Sequence, residues 1–137
     1  MALEKEVGGE IKMNQMDYQE IVQAEILTND ITLCLGCDNG DSHSRGFAYA
    51  DERKVHYSKK CATRNTLYGF LHEVGHIVMG HGKTSKLRRY EQEAQAEQYA
   101  RDSFRALGIV TPRSKVALGN AYVARRKRTG DRIIKAR

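Results

Sequence analysis

No run of apolar residues in this 137-residue chain approaches the ~20 needed to cross a bilayer, and its first residues, MALEKEVGGEIKMNQ, hold no apolar signal-peptide core. A membrane-spanning protein is therefore excluded. Cysteine is scarce and odd in number, at three. That excludes a secreted disulfide scaffold and leads us to expect reduced thiols in a cytoplasmic protein. Internal repeats, collagen triplets, sustained heptads and low-complexity linkers are also missing. What is present is ordinary globular usage, 40% hydrophobic and 29% charged. This suits one core in a single domain over residues 1–137.

Acidic residues are nearly absent from the C-terminal end. Over residues 113–137 nine lysines and arginines face only Asp131, so this extension carries +8 of a chain whose total is +6. The body is thus slightly acidic. A cluster such as Arg125, Arg126, Lys127 and Arg128 can be an electrostatic footprint for nucleic acid or an acidic partner. It can equally be the solvated end of a helix, whose dipole favours cations there.

Residues 1–14 are polar and glycine-containing and are expected to be disordered. Apolar spacing predicts a first helix from Asp17 to about Leu27, then a β-branched strand over Ile31–Leu35. Gly36–Arg45 reads as a loop that includes a solvated His43. Gly46–Ala50 and Lys54–Tyr57 read as short strands joined by Asp51–Arg53. A second helix starts at Thr63 or Asn65 and runs to the glycines at 80 and 82. A third spans about Ser85 to Leu107 and stops at Gly108, and a basic fourth begins after Thr111–Pro112. The order predicts an α+β fold: an N-terminal helix, a small antiparallel sheet of about three strands, two central helices and a basic C-terminal helix.

The chemistry sits in His72-Glu73-Val74-Gly75-His76, an H-E-x-x-H motif inside a predicted helix. Four residues apart, His72 and His76 are about 40° apart around the axis and one turn apart along it, so both imidazoles reach one side. Two neutral imidazoles so placed can share a zinc ion. Glu73, about 100° round from His72, can reach a zinc-bound water without displacing either ligand. The other faces carry Leu67, Phe70, Leu71, Val74, Ile77 and Val78. Histidines buried on such a helix are costly without a metal or hydrogen-bond partners. A third ligand is then required. His81 serves only if the helix breaks at Gly80. The better candidate is Glu93, on a helical face with Ala96, Glu97, Ala100, Phe104 and Leu107, where the alanines permit close packing. Glu91 is its rival. Glu97, one turn on, suits the free ring N–H of a ligating histidine.

Cys34-Leu-Gly-Cys37, with His56 and Cys61, offers a second and structural zinc site of the Cys₃His type, although C-x-x-C alone is a weak pattern. The alternatives are a redox dithiol or plain strand and loop thiols.

The pattern H-E-x-G-H-x-x-x-G-H, followed by E-x-x-A-E-x-Y-A from Glu93 to Ala100, resembles the ImmA/IrrE family of small gluzincin-type metallopeptidases over about residues 45–112. Glu97 stands where the family usually has Asn or Asp, and Tyr99 where it usually has Phe. The resemblance implies a minimal zincin-like domain with one catalytic Zn²⁺ on His72, His76 and Glu93, and Glu73 as acid/base. It also implies a single protein substrate, such as a transcriptional repressor or other regulator. In that chemistry Glu73 takes a proton from the attacking water and delivers it to the leaving amine, while His56, Tyr57, Tyr68 or Tyr122 supports the oxyanion. A peptide would lie extended beside Gly46–Ala50 or Lys54–Tyr57. Two other functions compete. One is a DNA-associated regulator, or a protease acting on DNA-bound proteins, held by the basic C-terminus. The other is a non-catalytic zinc module.

Overall fold

The structure, a computed structural model, describes residues 5–7, 10–13, 15–35, 46–57 and 61–129. The elements run β1 (Lys5–Val7), β2 (Glu10–Lys12), α1 (Gln15–Asn29), β3 (Thr32–Leu35), β4 (Gly46–Tyr49), a 3-10 turn (Ala50–Glu52), β5 (Lys54–Tyr57), α2 (Arg64–Val78), α3 (Arg89–Leu107) and α4 (Arg113–Arg128). This is the expected helix-rich α+β order. Three details differ. Within the stretch expected to be disordered, β1 and β2 pair antiparallel. The main sheet is mixed, in the order β3-β5-β4, with β3 parallel and β4 antiparallel to β5. Within this sheet only β4 and β5, joined through the short 3-10 turn, form a hairpin. Ten residues separate β3 from β4, enough to let β3 enter on the far side of β5. Finally, α3 begins at Arg89, after turns, and not near Ser85.

Local chemistry sets the ends of the helices. Asp30, at φ 53°, stops α1, and Arg53, also left-handed, donates from Nε to the Asn29 carbonyl at 3.0 Å, tying the β4–β5 connection to that end. Thr63 caps α2 reciprocally with Thr66: each hydroxyl accepts the other's backbone N–H, at 3.2 and 3.0 Å. Gly108, at φ 73°, closes α3, with Ile109 N–H donating to the Phe104 carbonyl at 3.0 Å.

Strand β5 alternates, with Val55 and Tyr57 buried and Lys54 and His56 half-buried. Its buried face meets Leu67, Phe70, Leu71 and Val74 of α2, together with Tyr18, Ile21 and Val22 of α1, in one core. On its other side α2 packs against α3. A Cβ on Gly75 would lie 3.0 Å from the Ala96 Cα and the Tyr99 Cβ. The backbones therefore touch where the H-E-x-x-H motif carries its glycine. About two turns away, Tyr68 packs edge-on against Phe104 at 5.5 Å between ring centroids. The α4 helix lies across α3 with no residue of its own buried. Among the described residues no helix is long and apolar enough to cross a membrane.

The Gly75 contact is testable. Gly75→Val pushes a branched side chain into the α3 backbone and is expected to lower unfolding stability by about 1–3 kcal/mol. Urea unfolding monitored by circular dichroism measures it.

Candidate metal centre

Side chains from α2 and α3 converge at the crossing set by Gly75 and Ala96. His72 Nε2 lies 3.1 Å from Glu93 Oε1, and His76 Nε2 lies 3.3 Å from Glu93 Oε2. One ligand atom from each of the three residues falls within 4.8 Å of the others, a group that can hold a metal ion. His76 and Glu93 are buried, and His72 is partly so. The rival Glu91 is used elsewhere: its Oε1 accepts the Arg88 backbone N–H at 2.8 Å, at the start of α3.

Each imidazole is held from behind. His72 Nδ1 lies 2.7 Å from Glu97 Oε2, and the other oxygen of Glu97 accepts from the Tyr68 hydroxyl at 2.7 Å. The backbone of α2 turns at Gly80, φ 72°, so the break that His81 needed does occur. The turn brings His81 to the back of His76 and not into the ligand group: the two Nδ1 atoms are 2.9 Å apart, and His81 Nε2 is 2.7 Å from Gln95 Oε1. An amide oxygen only accepts, so His81 Nε2 carries a hydrogen. Burial lowers the pKa of His81, although Gln95 works the other way. Neutral with its proton on Nε2, His81 accepts at Nδ1 from His76 Nδ1–H. The Nε2 atom of His76 is thereby the one that faces Glu93. One chain of contacts, Tyr68–Glu97–His72–Glu93–His76–His81–Gln95, aims both Nε2 atoms at the Glu93 carboxylate.

Titration follows from this packing. Burial opposes charge on His72, but the hydrogen bonds to Glu93 and Glu97 outweigh it and its pKa is pushed up to about 10. Burial likewise works to raise Glu93, yet the two imidazoles hold it well below the usual carboxylate range. Burial and then the bond to Glu97 keep the Tyr68 hydroxyl protonated far above its ordinary value. With protein groups alone, a proton on His72 occupies the place a cation would take.

Glu73 borders the cleft in front of this cluster, beside His72. The expected oxyanion donors are dispersed. Tyr57 borders the cleft, but its hydroxyl donates to the Thr66 carbonyl at 3.0 Å. The Tyr68 proton is committed to Glu97. His56 lies on the opposite face of β5 and packs against the ring of Tyr49 at 5.0 Å. Tyr122 borders the cleft and accepts from Arg126 Nε at 3.1 Å, which leaves its own O–H directed to no described acceptor.

The proposed second zinc site is not assembled among the described residues. Cys34, opposite His56 across β3 and β5, is disulfide-bonded, contrary to the expectation of reduced thiols throughout. Cys61 is a free thiol buried beside the start of α2, pushed up to about 12 by that burial and so a poor source of thiolate. Cys37 and His43 lie outside the described residues. Arg125, Arg126, Lys127 and Arg128 all fall on the last turn of α4, where Arg125 and Arg126 border the cleft and Lys127 turns over the Tyr90 ring at 5.8 Å. Gln95 was missed by the sequence reading, as were the roles of Tyr68 in holding Glu97 and of His81 in orienting His76. Only the fact that His81 follows a glycine offered a signal.

No protein-family model, curated protein or solved structure matches this chain.

Three predictions come from the hydrogen-bond chain and the titration. A divalent ion must displace the His72 proton, so apparent metal affinity is expected to rise about tenfold per pH unit from neutrality toward pH 10, with a proton released on binding. Calorimetry in buffers of different ionisation enthalpy reads both. The metal-free protein behaves in the opposite sense. The raised pKa of His72 contributes stability in full below ~6.5 that is lost as pH climbs through about 10, while the lowered pKa of Glu93 contributes stability above ~4.3 that is lost on acidification. Separately, Glu97→Ala and His81→Ala are each expected to weaken metal binding by about 10- to 100-fold without removing a ligand, as measured by competition with a chromogenic chelator.

Proposed function

We propose that this chain is a zinc-dependent endopeptidase that hydrolyses a bond in one specific protein, a transcriptional repressor or similar regulator, as the likeness to the ImmA/IrrE pattern implies. The observation that carries the reading is the buried convergence of His72, His76 and Glu93 with Glu73 beside it at the cleft. The donor set suits zinc. Two imidazole nitrogens and one carboxylate leave a fourth position open, and ligands bound at ~2.0–2.1 Å in a tetrahedron sit about 3.3 Å apart. The contacts of Glu93 with the two imidazoles, at 3.1 and 3.3 Å, are close to that spacing. Zinc in this site supplies a Lewis acid for the scissile carbonyl and lowers the pKa of water toward ~7.

The protein's own groups do the rest. His72 and His76 present their Nε2 lone pairs because Glu97 and His81 hold the opposite ring nitrogens. The Glu73 carboxylate accepts the proton of the attacking water and returns it to the departing amine. The tetrahedral oxyanion needs a donor on the cleft wall, a role open to Tyr122 through its uncommitted hydroxyl. Of the two strands considered for docking a peptide, β5 is central in the sheet, so the outer strand β4, which lines the cleft, supplies the backbone edge.

Incubation with co-encoded proteins tests this: discrete fragments are expected, and a chelator is expected to abolish them. Glu73→Gln is expected to keep its metal and lose at least ~100-fold in cleavage, whereas His76→Ala loses the metal itself on elemental analysis. Wild-type cleavage by Glu73→Gln would refute the assigned base.

A further inference from the structure

The cleft has two walls of different chemistry. On one side is the backbone of β4; on the other, α4 contributes a single helical stripe, Lys115, Leu118, Tyr122, Arg125 and Arg126. No acidic residue occurs anywhere in α4. Arg125 and Arg126 both lie over the one ring of Tyr122, at 5.3 and 5.4 Å from its centroid, and Arg126 Nε is bonded to the Tyr122 hydroxyl. Among the described residues no carboxylate pairs with either guanidinium. Two like charges are thus gathered about one aromatic ring with only its π cloud and hydroxyl against them. Leu118, between the cationic ends of the stripe, is 55% exposed. Lys115 and Arg125 are about 15 Å apart along the helix axis, the reach of four or five extended residues. Three of the four carboxylates that border the cleft are engaged in the structure: Asp51 accepts the Lys83 backbone N–H at 2.9 Å, Glu97 holds His72 and Tyr68, and Glu93 holds both ligand histidines; the fourth, Glu73, is the assigned base.

We infer that the cleft selects an acidic peptide segment, whose carboxylates pair with Arg125 and Arg126 and whose apolar side chain covers Leu118. This rests on the peptidase reading and names its substrate class. An anion between the two guanidiniums removes their repulsion, and bidentate carboxylate pairing suits the planar fork of arginine. A peptide is favoured over nucleic acid because the facing wall is a strand edge. Only a ligand with its own amide backbone satisfies that edge while presenting anionic groups to α4. At about 1280 Å³ the cleft also exceeds the ~300–1,000 Å³ of small-molecule pockets.

The test is equilibrium binding by the zinc-loaded Glu73→Gln protein, which removes turnover from the readout. The probes are fluorescein-labelled peptides of about ten residues, one alternating Glu with Leu and one alternating Lys with Leu, followed by anisotropy at increasing salt. The acidic peptide is expected to bind at least about tenfold more tightly, with affinity falling as salt rises. Arg125→Glu/Arg126→Glu abolishes the preference, and the milder Arg125→Gln/Arg126→Gln reduces it. Arg113→Glu/Lys127→Glu, an equal change of charge off the cleft, leaves the preference intact, and circular dichroism checks the fold of each variant. Equal binding of the two peptides overturns the inference. So does a preference that survives charge reversal, or tighter binding of a single-stranded oligonucleotide to the same arginines. Metal analysis and fragment assays are independent readouts. A protein that cleaves its partner yet ignores peptide charge refutes this inference alone, and one that selects acidic peptides without binding zinc refutes the peptidase reading alone.

Discussion

The carboxylate of Glu93, buried between two imidazoles that belong to a different helix, is the constraint on which the rest of the structure depends. A charge in that position is costly unless it is closely surrounded by compensating groups. The spacing of 3.1 and 3.3 Å to His72 and His76 demands that α2 and α3 approach more closely than ordinary side chains allow. Gly75 and Ala96 make that possible. Two of the residues between and beside the ligands are therefore small for a reason that lies on the partner helix. The aromatic pair Tyr68 and Phe104 then packs the two helices together about two turns away.

Orientation is the second layer of the same constraint. An imidazole can present either nitrogen, and a ligand site works only when the choice is made beforehand. Here a carboxylate makes it for His72 and a neutral histidine backed by an amide makes it for His76. The two arrangements differ electrically. Glu97 contributes a negative charge and strengthens its histidine as a base, whereas His81 contributes none, so only one full charge is added behind the cluster. The α4 helix seals the arrangement from outside: Gly119 passes against the Glu97 carboxylate so closely that a Cβ there would collide with it. The helix that shields the acidic cluster also carries the cations of the cleft wall, so burial of one charge type and display of the other come from a single packing event.

Much of this was legible in the residues themselves. Helical periodicity placed α1, α2 and α3 to within a few residues, and the spacing of His72, Glu73 and His76 marked one face of one helix. Glu93 and Glu97 stood out because alanines separated them from the apolar residues that follow. Strand pairing was less legible. Four-residue strands state their faces but not their neighbours, and β3 joined β5 in parallel because ten residues gave the chain room to pass. The disulfide at Cys34 was equally unforeseen, since an odd cysteine count says nothing about which thiols meet.

From α1 onward the sequence by itself determined the element order, and it determined the candidate ligand set, because both rest on periodicity within single elements, where local geometry is nearly invariant. Only the tertiary structure decided that His81 turns back onto His76, that Gln95 and Tyr68 complete the chain of contacts, that His56 faces away, and that Arg125 and Arg126 share a cleft with β4. Each of these depends on where one element lies against another, and no rule of spacing along the chain encodes a distance across a packed interface.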